Sequence, residues 1–141
     1  MQNNNDIILP EIERLLNEGH MVEFMPQGES MRPFIEGGHD RVILKSCNNP
    51  KLGHIVLARI NDSYVLHRIY QIKGKHIILQ GDGNLIGQEI CTAVDIIGRV
   101  VHIRSKGRKY KRVTTAQLWR HLPIWCKKII LKIYRKVIQY N

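Results

Sequence analysis

The chain has 141 residues, 43% hydrophobic and 24% charged, which excludes a disordered segment or a membrane-embedded bundle and suits one compact domain with its own core. The formal net charge of +10 is unevenly placed: residues 1–103 hold 10 Lys+Arg against 12 Asp+Glu, and residues 104–141 hold 12 Lys+Arg and no acid. The near-neutral body therefore gives no sign of a phosphate-binding surface, whereas the tail suits anionic lipid or nucleic acid.

In chain order, a polar lead (residues 1–5) precedes a helix predicted over 6–18, capped by Asp6, with Ile8, Ile12, Leu15 and Leu16 on one face and Gly19 as its stop. From His20 the period becomes two, with Val22 and Phe24 on one side of a strand that ends at Pro26-Gln27-Gly28. Residues 28–38 cannot form a strand. Strands are expected at 41–44, 54–60, 63–71, 76–80 and 96–104, with a tight Asn61-Asp62 hairpin turn, which makes six in all and a mostly β body.

The N-terminus has neither the basic run nor the apolar stretch of a signal peptide or anchor. Cys47, Cys91 and Cys126 are an odd, widely spaced set and read as free thiols in a reducing compartment, so a cytoplasmic location is expected. No metal or cofactor is expected.

Residues 105–113 read as a basic linker, after which Thr114 or Thr115 caps a helix from Ala116 and a second helical stretch follows Pro123. In this tail, 114–141, Trp119, Leu122, Cys126, Ile130, Ile133 and Val137 recur at spacings of three and four, with Lys128, Lys132, Arg135 and Lys136 on another face. Charges at the centre of a bilayer cost about 2.5–3.5 kcal/mol each, so the tail does not span. Its stripe either lies on a membrane surface, as a peripheral contact, or docks on the body or on a second copy.

In Pro26-Gln27-Gly28-Glu29-Ser30-Met31-Arg32-Pro33 a serine stands between a flexible glycine and a stiff proline, just after a strand. Such a turn can present a hydroxyl for acyl transfer, although Gly-x-Ser alone is usually only a turn. Serine needs a general base, and His67 shares a strand face with Val65 and Ile69, where a neutral imidazole can accept its proton. A lone strand histidine is more often a core residue. In Gly81-Asp82-Gly83-Asn84 an acid that can orient a histidine lies in a glycine turn, a place where acids mainly serve turning.

Taken in order, Gly-x-Ser-Met-x-Pro, then Gly38-His39-Asp40-Arg41, then Lys51-Leu52-Gly53-His54, then His67-Arg68, then Gly81-Asp82-x-Asn84 resembles the type I signal peptidase superfamily, which includes the self-cleaving SOS-type repressors. The likeness covers roughly residues 22–103. It implies a coiled β-sheet or partial barrel with an N-terminal helix, here followed by the basic amphipathic C-terminal helix, and a serine peptidase domain over 1–104. It implies Ser30 as nucleophile, with Met31 and Pro33 shaping the turn behind it. It implies His67 as base, where most bacterial members have lysine, as in the endoplasmic-reticulum, archaeal and spore-former branch. Asp82 matches the Gly-Asp element, and the third catalytic residue is Asp82 or the slightly displaced Glu89. The oxyanion hole falls to the N–H of Ser30 with that of Gly28, which replaces a serine found in some members.

The expected substrate is a peptide or protein bound extended beside residues 22–25; the resemblance implies small residues near the cut and removal of a leader or signal segment. The alternative is a non-catalytic peptide-binding module of the same fold recruited to membrane by its tail. Self-cleavage is not expected, because only 29 residues precede Ser30 and they contain no Ala-Gly or Cys-Gly pair. Nucleic acid is an unfavoured partner, since aromatic residues make up only 6% of the chain.

Overall fold

The computed structural model describes residues 4–139 apart from 106 and 108, with the backbone alone at 4–7. Lead residues 1–3 and the two linker residues lie outside that description. Helix α1 (Asn4–Asn17) is already helical before Asp6, so that residue stands inside the helix and does not cap it. The predicted stop holds: Gly19 takes φ +89°, and His20 N–H donates to the Leu15 carbonyl at 3.0 Å.

The strands are β1 (Val22–Phe24), β2 (Arg41–Ser46), β3 (Ile55–Ile60), β4 (Ser63–Lys73), β5 (His76–Gln80), β6 (Glu89–Cys91), β7 (Ile96–Arg104) and β8 (Lys111–Arg112). They form one sheet in the order β1-β2-β7-β3-β4-β5-β6, with β8 added to β7, and every pairing is antiparallel. Register shifts at Ile43/Leu44, Leu57/Ala58 and Ile69/Gln71 bend the strands and curl the sheet into a half-barrel. Asn61 and Asp62 both have positive φ, 50° and 64°, as a two-residue hairpin of matching twist requires.

The additional strands are β6 and β8, each too short to display an alternation. β8 lies within the basic 105–113 segment and pairs with His102 and Ile103.

Strand β3 explains the two-sided core. Its run Ile55-Val56-Leu57-Ala58 is buried throughout, because both faces are covered. Ile55 and Leu57 join Ile12 and Leu16 of α1, Phe24, Val42, Leu44 and Val100, whereas Val56 and Ala58 join Ile69, Ile77, Leu79, Cys91 and Ile96. Met31 and Ile35 anchor the segment after β1 in the first cluster.

The tail forms α2 (Gln117–His121) and α3 (Ile124–Gln139), broken at Pro123. Neither threonine caps α2: its N-cap is Ala116, at φ 50°. The Thr114 and Thr115 carbonyls instead accept from Arg68 and Arg120, which turns the chain onto the body. Trp119 is buried there, edge-on to Phe34 at 5.9 Å, and its Nε1 donates to the Asp82 carbonyl at 3.0 Å.

Candidate active site

The segment carrying Ser30 closes on its own backbone. Gly38 N–H donates to the Pro26 carbonyl at 2.7 Å, and the N–H groups of Phe34 and Ile35 both donate to the Met31 carbonyl at 2.9 Å. Buried Met31 and Ile35 hold the loop on the core, and Arg32 grips Glu36 through Nε and Nη2, each at 2.8 Å.

Neighbouring backbone presses on this loop from two sides. A side-chain carbon on Gly37 would lie 2.6 Å from the Gly28 nitrogen and 2.7 Å from the Gln27 carbonyl carbon. From the other side, Gly83 N–H donates to the Ser30 carbonyl at 2.8 Å, and a side-chain carbon on Gly83 would come 2.9 Å from the Glu29 carbonyl oxygen. One on Gly81 would overlap the Ser30 carbonyl oxygen. Gly37, Gly81 and Gly83 all have negative or extended φ, so their lack of bulk is what the loop needs, whereas Gly28 uses its conformational freedom at φ +92°. The turn reading of Gly81-Asp82-Gly83 missed this close approach.

Gly37→Ala is accordingly expected to cost about 1–3 kcal/mol of stability by overpacking. A fall in the denaturant midpoint with an unchanged slope checks it.

Ser30 and His67 meet in one cavity of about 180 Å³, which Gly28, Met31, Tyr64 and Leu66 also line. Among the described residues no hydrogen bond joins the two. Such bonds are commonly long in unliganded sites and tighten around substrate. Among the described residues neither the Gly28 nor the Ser30 N–H donates to a backbone carbonyl.

His67 is buried, and its Nδ1 lies 2.9 Å from Glu89 Oε2. Register accounts for the pair: Ile69, Leu79 and Glu89 are neighbours across β4, β5 and β6, and His67 stands two residues before Ile69 on the same face. In the tautomer that donates Nδ1–H to the carboxylate, Nε2 is left as the acceptor nitrogen.

Asp82 faces a different partner. It is fully buried; Arg68 Nε reaches its two oxygens at 2.9 and 3.0 Å, Nη2 reaches Oδ2 at 2.8 Å, and Tyr70 OH donates to Oδ1 at 2.8 Å. Arg68 also donates Nη1 to the Gly53 and Thr114 carbonyls at 2.8 and 2.7 Å, with its guanidinium 5.0 Å from the Phe34 ring centre. Burial, reinforced by the Asp82 charge, pushes the Tyr70 phenol well above its usual range, so it stays a donor. Thus of the two candidate acids Glu89 reaches the histidine, and Asp82 ties β4 to the loop behind Ser30 and to the tail.

The curled antiparallel half-barrel thus gathers a loop serine and a strand histidine in one cavity, an arrangement compatible with a peptidase-like protein. Residues 3–101 match the family described as Peptidase S24-like, and the chain belongs to that family. No curated protein matches the chain.

Proposed function

We propose that the protein is a serine endopeptidase of signal-peptidase type that removes a leader or signal segment by a Ser–His mechanism, in the manner of the histidine-bearing branch. The observation that carries this reading is the His67 ring, held at 2.9 Å by Glu89 and lining the same cavity as Ser30. His67 Nε2 takes the Ser30 proton as Oγ attacks the scissile carbonyl, and the N–H groups of Ser30 and Gly28 bind the oxyanion. The imidazolium then protonates the leaving amine, and water activated by the same ring releases the acyl group. Glu89 keeps the ring in its productive tautomer, and Asp82 is a positioning residue.

Open strand edges support an extended substrate. Among the described residues β1 pairs only with β2, and β5 joins β4 only from Arg68 onward, which leaves residues 63–67 without a strand partner on that side. A peptide can add to these edges and set one side chain in the Met31, Ile35 and Leu66 pocket, which suits a small apolar residue.

A serine-reactive phosphonate tests the reading on the intact chain: labelling is expected in the native protein and absent in Ser30→Ala and in His67→Ala. An unlabelled native protein would instead favour the peptide-binding module. Glu89→Gln is expected to lower kcat by about 10²–10⁴-fold through the wrong tautomer while KM changes little. Steady-state kinetics on a cleaved peptide measures that split.

A further inference from the structure

Helix α3 has three faces, each with a different character. At 3.6 residues per turn, Lys127, Leu131, Tyr134 and Ile138 lie on one side. This side meets the body: Lys127 is buried, with Nζ 5.4 Å from the Tyr70 ring centre and 5.9 Å from that of Trp119, and Tyr134 OH donates to Glu36 at 3.3 Å. Roughly opposite, Trp125, Ile129, Ile133 and Val137 form an apolar face exposed to solvent, with Trp125 66% and Ile133 58% accessible. Lys128, Lys132 and Arg135 fill one arc between these two sides and Lys136 falls on the adjoining edge of the apolar face, all four exposed.

The apolar face is thus flanked by the cationic face on one side and by the body on the other. We infer that α3 lies in the surface of an anionic lipid bilayer, with the Trp125, Ile129, Ile133 and Val137 face in the acyl boundary and the four cations among the headgroups. Charge selects the occupant. Residues 104–141 carry 12 cations and no acid, so pairing this face with a second copy brings two cationic tails together, whereas anionic headgroups neutralise them. No helix among the described residues is long and apolar enough to cross a membrane, which fits a helix lying in the plane. Because Tyr134 touches Glu36, and Arg32 lies 6.0 Å from the Tyr134 ring, such a helix also sets the height of the Ser30 loop above the lipid.

Co-sedimentation of the full chain with phosphatidylglycerol–phosphatidylcholine vesicles, compared with phosphatidylcholine alone, is the test. Binding is expected to the anionic vesicles, with a blue shift of tryptophan emission that Trp125→Phe removes. Lys128→Gln with Lys132→Gln is expected to weaken binding about 10–30-fold, at roughly fivefold per cation. Ile129→Ser with Ile133→Ser is expected to abolish it with the thermal transition unchanged, and Trp125→Ala gives the same readout should that pair fail to fold. No anionic-vesicle binding, binding indifferent to the apolar substitutions, or a dimer in sedimentation velocity that those substitutions dissociate would each overturn the inference. Vesicle binding needs no substrate, so it is judged apart from the peptidase reading.

Discussion

Cleavage by the Ser30→Ala protein is expected to fall by on the order of 10⁶-fold in kcat, with His67→Ala falling about as far and the double variant no further. The reason is that, in the proposed mechanism, nucleophile and base act as one unit. A serine hydroxyl without a proton acceptor is too weak to attack an amide, and an imidazole without the serine can only activate water at an unsuited distance. What is expected to survive is the residual contribution of the proposed oxyanion donors, the Gly28 and Ser30 N–H groups, and of substrate binding, on the order of 10³–10⁴ over water. Single-turnover measurements on the three variants check this. Additive losses, in which the double variant is slower by the product of the single factors, would mean that Ser30 and His67 serve separate steps.

Asp82→Ala is expected to lower the free energy of unfolding by about 3–5 kcal/mol, a large part of what a domain of this size possesses. The side chains of Arg68 and Asp82 are both 0% exposed, so removing the carboxylate strands a guanidinium in the interior. The Gly53 and Thr114 carbonyls and the Phe34 ring still surround it but carry no compensating charge. Replacing both partners, as in Arg68→Met with Asp82→Leu, is expected to recover part of the loss, because no isolated charge remains. The recovery stays partial, since those two carbonyls and the Tyr70 hydroxyl lose their partner. Urea unfolding of the three variants is the measurement, with the midpoint read at constant slope. Stability separates the two acids: Asp82→Ala moves the midpoint, and Glu89→Gln moves kcat.

The different fates of these acids show where a linear reading stops. Asp82 stands in a recognisable Gly-Asp turn, yet the next residue to reach the histidine is an unremarkable glutamate on a strand of three residues. A two-residue period cannot be seen in Glu89-Ile90-Cys91. Its inward direction follows from pairing with Leu79, itself aligned with Ile69. Gly37 was hidden for a related reason, since the backbone it touches belongs to Gln27 and Gly28 across the loop. The stripe expected in the tail shares only Ile133 and Val137 with the exposed apolar face, because period alone does not say which side meets the body. Lys127 and Tyr134, polar at their tips, face the body because Tyr70, Trp119 and Glu36 receive them.

Order along the chain was enough for a mostly β body, the principal strands, the Asn61-Asp62 hairpin and the break at Pro123, because period, turn chemistry and proline are local constraints carried by neighbouring residues; the partial barrel followed only from the resemblance of the motifs. It also placed Ser30 in a non-strand turn and His67 within a strand. That they line one cavity, and that Glu89 stands behind the ring while Asp82 stands behind the loop, depends on strand register. Register brings together residues tens of positions apart, and a shift of one residue would turn every inward side chain to the other face.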